Sequence, residues 1–177
     1  MEKFNNFDIH KDVDSILLIN NLANESEILI SFVIPTFNRL DTLKDAVSSV
    51  VELEELENIS YEILIVDNSS KFGDENESYT YFAKENINQL KYYVNEKNIG
   101  MEGNWNRGIQ LAKGKYISML HDDDMLVNTY AVNIKRLISF LENKHERIGF
   151  ILPQIQFFHS TNEIIKIKQE NFIQIKS

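Results

Sequence analysis

Cysteine is absent from the 177-residue chain, which excludes disulfides and thiolate metal sites. That absence suits a reducing compartment, so a cytoplasmic location is the expectation. Long apolar runs are missing too. The runs present, such as Phe32-Val33-Ile34, fall far short of the ~18–20 residues of a membrane span. The opening residues Met1 to Asn6 carry no apolar signal region. No transmembrane segment is therefore expected, and membrane contact would be peripheral. Positive charge is scarce: Lys and Arg total 18 against 27 Asp and Glu, a net charge of −9. Nucleic acid is thereby excluded as a partner, because phosphate contacts need a basic footprint. An acidic protein can still take an anionic nucleotide when a cation stands between the two. No Gly-x-Gly-x-x-Gly follows a strand, which counts against a dinucleotide-binding dehydrogenase. No glycine-rich, lysine-bearing loop follows the first strand either, which counts against a nucleotidyltransferase. Internal repeats and low-complexity tracts are likewise missing.

What the chain does have is a hydrophobic content of 43% and a charged content of 25%, the balance of a folded globular domain. Its length suits one domain, able to bury ~70% of its unfolded surface without staples. Residues 1–26 are polar apart from Ile16-Leu17-Leu18-Ile19, and read as an N-terminal extension holding a short helix and a linker. Residues 27–177 read as the domain proper. Ile28–Ile34 is an apolar, β-branched run ended by Pro35, as a strand buried on both faces would be. Leu40, Leu43, Val47, Val50 and Val51 recur at helical spacing, predicting a helix over 41–52. Further strands are predicted at 61–66, 91–94, 116–120 and 148–152. Helices are predicted at 78–87, 103–113 and 128–143. The third of these four helices would turn Trp105, Ile109 and Ala112 to the core and close on Gly114. The tail, Ile164 to Ser177, alternates apolar and polar residues like an edge strand.

Repeated β–α units imply a mostly parallel sheet covered by helices on both faces. Ligands of such sheets bind beyond the carboxyl ends of the strands. That rule selects Pro35–Arg39, Asp67–Ser70 and His121–Asp124. Three consecutive carboxylates after a buried strand call for solvent or a cation, and hard oxygens suit Mn²⁺ or Mg²⁺. The plain alternative is a solvated acidic turn, with Asp124 or Asn128 capping the next helix. Asp67 reads either as a ligand to a base or as a turn former. Arg39 reads as a phosphate contact or a surface charge, and Trp105 as core. The loop from Asn98 through Gly100 to Gly103 either approaches a ligand or simply turns. His10, His145 and His159 have no ligand-like spacing.

Five blocks in order carry a resemblance. They are Ile30–Arg39 (ISFVIPTFNR), Glu62–Ser70 (EILIVDNSS), Asn98-Ile99-Gly100, Asn106–Gly108 with Ala112–Ile117, and Leu120–Asp124 (LHDDD). Together they resemble family 2 glycosyltransferases over about residues 28–126. The resemblance implies an α/β, GT-A (Rossmann-like) fold, a mostly parallel sheet sandwiched by helices. It also implies a nucleoside diphosphate sugar donor, expected as a UDP-sugar, and a glycan or lipid-linked acceptor. Carried over by position, Pro35, Thr36, Phe37 and Arg39 would line the nucleotide pocket, and Asp67 would bind the base. Asn98, Gly100 and Asn106 would belong to the same nucleotide-sugar site. Asp122 would lie near the ribose or diphosphate, with Asp123 and Asp124 as the metal residues for Mn²⁺ or Mg²⁺. His121 stands where the family's Asp-x-Asp motif commonly begins, and Asp122-x-Asp124 fits the motif one residue later. Family members resemble inverting enzymes whose carboxylate base lies downstream in an acceptor-binding half. Only 53 residues follow Asp124 (177 − 124), and no counterpart of that half or its base is evident in them. Glu163 and Glu170 are the carboxylates there. Two readings follow: a metal-dependent transferase, or a donor-binding module that lacks the base. Apolar surface left by a missing half would favour self-association or a partner subunit.

Overall fold

A computed structural model describes residues 9–24 and 27–144 of the chain. Five strands form one sheet: β1 (Ser15–Asn20), β2 (Ile30–Thr36), β3 (Tyr61–Asp67), β4 (Leu90–Asn95) and β5 (Tyr116–Met119). Their spatial order is β1-β4-β3-β2-β5. The ladders β4–β3, β3–β2 and β2–β5 are parallel, and β1 runs antiparallel on β4. Four helices connect or follow the strands: α1 (Leu40–Val51), α2 (Glu77–Glu85), α3 (Gly100–Leu111) and α4 (Tyr130–Lys144). No helix among the described residues is long and apolar enough to cross a membrane.

Burial divides unequally between the two faces. Alternate residues of β2, β3 and β4, among them Phe32, Ile34, Ile63, Ile65, Tyr92 and Val94, meet Leu43, Ala46, Val47 and Val50 of α1. Phe82 of α2 and Ala131 and Ile138 of α4 complete that larger core. Each such side chain, fully removed from water, contributes roughly 1.5–3 kcal/mol. The opposite face holds Val33, Leu64 and Val66, packed by Leu111, Ala112 and Met119. At the far end of this second face lies a buried ion pair. Glu62 Oε1 accepts from Ser31 Oγ (2.6 Å) and from the Lys113 backbone N–H (2.7 Å). Lys91 Nζ stands 3.4 Å from Glu62 Oε2, near enough for charge attraction but misaligned for a hydrogen bond.

Three expectations change. Ile16–Ile19 is strand rather than helix. The segment is too short to bury a helical face, whereas β4 offers it an open ladder, accepted with a register shift between Leu17 and Ile19. Pro35 lies within β2, opposite Val66, rather than ending it. The β2–β5 ladder stops at Val33, so Pro35 has a neighbour on one side only, the setting in which a strand tolerates proline. Helix α3 starts earlier than predicted and presents a different face. It buries Asn104 and Gly108, while Ile109 is exposed and Trp105 is half-buried with its ring 4.8 Å from that of His121. The helix ends at Leu111, not at Gly114. A Cβ on Gly114 would lie 2.5 Å from the Ser31 backbone nitrogen, so this glycine serves close approach rather than a helix cap. The strands predicted at 148–152 and 164–177 lie outside the described residues.

Candidate nucleotide and metal site

The carboxyl ends of β2, β3 and β5 open on one side of the sheet, and the loops that follow them supply the polar residues. After β5 the chain turns sharply, with the Asp124 N–H donating to the His121 carbonyl at 3.0 Å. This turn carries Asp122 back over β2. Thr36 Oγ1 donates to Asp122 Oδ2 at 2.7 Å, and both side chains are buried. Arg39, just ahead of α1, reaches the same carboxylate at 3.3 Å and Asp123 Oδ2 at 2.9 Å. One guanidinium thus bridges two adjacent carboxylates and offsets half of their charge. Asp122 is held rigidly from beneath, whereas Asp123 is more than half exposed and its Arg39 partner is equally open. Such exposed pairs contribute little to stability and can be exchanged for another partner.

Asp67 ends β3 and is almost wholly enclosed. Its Oδ2 accepts from Tyr92 Oη (2.7 Å), Asn76 Nδ2 (2.7 Å) and Ser69 Oγ (2.9 Å), and its Oδ1 from the Ser69 N–H (2.8 Å). Asn76 also caps α2, accepting from the Tyr79 N–H at 2.9 Å. Burial and the facing Asp67 carboxylate push the Tyr92 hydroxyl above its usual range, so it stays a donor. A cavity of about 150 Å³ lies against Asp67, lined also by Asn38, Ser69, Lys71, Asn76 and Glu77. A shallower cleft of about 570 Å³ runs over Arg39, Asp41, Thr42 and Asp123. Asn38, Leu40 and Glu77 border both, so the two form one continuous depression.

A third cluster joins these loops to α3. Asn68 Nδ2 donates to Asn98 Oδ1 (2.9 Å) and to the Gly100 carbonyl (3.2 Å). Its own Oδ1 accepts from Asn95 Nδ2 and the Ile99 N–H, each at 3.0 Å. Asn95 donates to Asn104 (2.8 Å), and Asn104 donates to the Val66 carbonyl (2.8 Å). Gly100 has a φ of +74°, a conformation that favours glycine. Arg107 then fixes the N-terminal segment to α3, donating to Ser15 Oγ and to the carbonyls of His10 (2.9 Å) and Val13 (2.7 Å).

Of the residues selected from sequence, Thr36, Arg39, Asp122 and Asp123 meet directly, and Asp67 borders the adjoining cavity. Pro35 is buried in β2 beneath them, and Phe37 is exposed beside them. Asn98 and Gly100 belong to the asparagine cluster. Asn106 is half-buried on α3 and makes no hydrogen bond to the pocket residues. Asp124 is exposed at the turn. Asn38 and Asn68 fall inside the segments selected from sequence, whereas Asn76, Tyr92 and Asn95 were not singled out. Only Asn76 had a local signal, as a cap residue ahead of an apolar-periodic stretch.

Among the described residues no cluster of three or more His, Cys, Asp or Glu surrounds a metal position. The donor set nevertheless fits one kind of ion. Mg²⁺ and similar hard cations use one or two carboxylates and take their other ligands from water and phosphate. Asp123 and Asp122 suit that role, and neither suits an all-protein cage.

The family model for glycosyl transferase family 2 matches residues 31–169. The chain is 30% identical over 100 residues to a GalNAc(5)-diNAcBac-PP-undecaprenol beta-1,3-glucosyltransferase of Campylobacter jejuni, covering 56% of this chain and 31% of that protein. It is 35% identical over 98 residues to the abequosyltransferase RfbV of Salmonella typhimurium, covering 55% and 29%. Among solved structures, S. aureus TarS 1-349 in complex with UDP-GlcNAc superposes with a TM-score of 0.53 at 20% identity, over 72% of this chain and 37% of that one. The chain thus spans about a third of each of these proteins. With its mostly parallel sheet, its helices on both faces and the family's blocks in order along it, the chain has the GT-A fold and belongs to glycosyl transferase family 2.

Proposed function

We propose that the chain binds a nucleoside diphosphate sugar, with a UDP-sugar as the favoured donor, and forms the donor half of a metal-dependent, inverting transferase acting on a glycan or lipid-linked acceptor. The observation that carries this reading is the meeting of Thr36, Arg39, Asp122 and Asp123 beside the Asp67 cavity. A cationic and carboxylate patch beside a cavity of about 150 Å³ suits a diphosphate next to a ring, which supports the reading. UDP and UDP-GlcNAc bound to TarS, a protein of the same fold, support a uridine nucleotide.

In this reading the base enters the smaller cavity against Asp67, and the diphosphate lies along the open cleft toward Asp123. Thr36 keeps Asp122 fixed by donating to Oδ2, which leaves its Oδ1 to Arg39. Arg39 leaves the two carboxylates and turns to the diphosphate, whose negative charge replaces theirs. A divalent cation bound at Asp123 would stabilise the charge that develops on the departing diphosphate. The acceptor hydroxyl's deprotonation falls to a carboxylate outside the cluster described above.

Calorimetric titration of UDP and then GDP, with and without Mn²⁺, tests the reading. The expected result is UDP binding that needs the ion and is lost in Asp123→Ala. Binding of neither nucleotide to folded protein would overturn it. Slow hydrolysis of a bound UDP-sugar would separate a transferase from a module that only holds the donor.

A further inference from the structure

We propose that Tyr92 and Asn76 are positioning residues that fix the Asp67 carboxylate plane, so that the base contact read for Asp67 above falls to Oδ1 and its preference for a ring N–H depends on them. The proposal rests on the nucleotide-donor reading above. It starts from acceptor capacity. An ionised carboxylate has about four lone-pair sites, two on each oxygen. Oδ2 already receives three donors, from Tyr92, Asn76 and Ser69, and has no room for a ligand. Oδ1 receives one, the Ser69 N–H, and keeps one site open. Since Asp67 lines the smaller cavity, that open site is its means of engaging an occupant there.

The partners differ in what they fix. Ser69 lies in the loop two residues on from Asp67. Tyr92 comes from the fully buried middle of β4, where Phe82 and Tyr79 pack around its ring. Its hydroxyl therefore approaches from a fixed direction. Asn76 is fixed as well, because its carbonyl oxygen caps α2 while its amide reaches Asp67 and the Lys71 carbonyl (3.0 Å). Two rigid donors thus pin Oδ2 and with it the carboxylate plane. An acceptor-only oxygen held in this way rejects a carbonyl edge and rewards an N–H. Uracil, with its N3–H between two carbonyls, is a base of that class.

The test compares UDP with N3-methyl-UDP, which lacks the donor, on the wild type and Tyr92→Phe in the presence of Mn²⁺. The wild type should prefer UDP by about tenfold or more, as the loss of a hydrogen bond to a charged acceptor implies. In Tyr92→Phe the preference should shrink to about threefold or less, because the carboxylate plane is released. A purely structural loss would weaken both ligands alike and leave their ratio unchanged, which would overturn the assignment. Asn76→Ser keeps an oxygen to cap α2 but cannot reach Asp67, and should shrink the ratio in the same direction. This second variant carries the test if Tyr92→Phe melts early. A wild type that binds UDP and N3-methyl-UDP equally would refute the Oδ1 contact while leaving the donor site standing. A wild type that binds no nucleotide would instead remove the donor-site reading and this proposal with it.

Discussion

Gly108 is where a single methyl group should unseat a helix. A Cβ at this position would fall under 3.0 Å from Val33 Cγ1 and 3.7 Å from Val66 Cγ2. Val33 is fully buried in β2, between two other strands, and its β-branched side chain has little freedom at χ1. Replacing Gly by Ala in a helix is ordinarily worth ~1 kcal/mol in favour of folding. Overpacking a filled core costs about 1–3 kcal/mol. Here the higher figure applies, because lifting α3 also strains the Asn104 bond to the Val66 carbonyl, 2.8 Å long. Gly108→Ala should therefore destabilise the protein by about 2 kcal/mol net. Urea denaturation followed by circular dichroism would measure it. In a Val33→Ala background the same change should be neutral or stabilising, giving a coupling of ~2 kcal/mol in a double-mutant cycle. Gly108→Ala that stabilises the otherwise unaltered chain, or a coupling near zero, would refute the close-approach reasoning.

Three further predictions follow from the core and the loops. Lys91→Met should cost about 3 kcal/mol, because Glu62 is left enclosed without its cation, and adding Glu62→Gln, which keeps an oxygen for Ser31 and the Lys113 N–H, should recover much of it; chemical denaturation of the wild type and the two variants decides. Tyr92, Tyr61 and Tyr130 all have hydroxyls pushed above the ordinary tyrosine value, chiefly by burial. The unfolded chain ionises them first, so their contribution is whole below about pH 10 and is lost as pH rises beyond it, with Tyr92→Phe flattening that slope in denaturation midpoints measured from pH 8 to 11. Arg107→Met removes donors to Ser15, His10 and Val13, and should raise amide exchange across residues 10–20 without matching change in β2 and β3.

The parallel core was legible because strands buried on both faces write themselves as unbroken apolar runs. Ile30–Ile34 and Ile63–Val66 could be read directly, and the polar residues that follow them marked the ligand end of the sheet. The meeting of Thr36 with Asp122 was also accessible once both were placed at strand ends. The helical face of α3 was not. Its contact side is made of Asn104 and Gly108, and periodicity cannot recognise a face whose role is to bond to carbonyls and to approach closely. Trp105 reads as core because it is large, yet it lies half-buried with its ring against His121. Tyr92 was invisible for a different reason: its ring belongs to the core and only its oxygen belongs to the site. The strand at Ser15–Asn20 has no local signal because its partner among the described residues lies in β4, far along the sequence.

That distance has a bearing on how the protein is made. Ser15 bonds to Asn95, 80 residues away, so β1 waits for a strand made well after it. At ~5–20 residues per second the wait is roughly 4–16 s, long compared with the collapse of a short chain. During it Ile16 and Leu17, still partly exposed in the finished fold, have no ladder to join. The sheet from β2 to β4 can assemble without them. Residues made early are thus sewn on late, and β1 joins β4 only when the template for it is already complete.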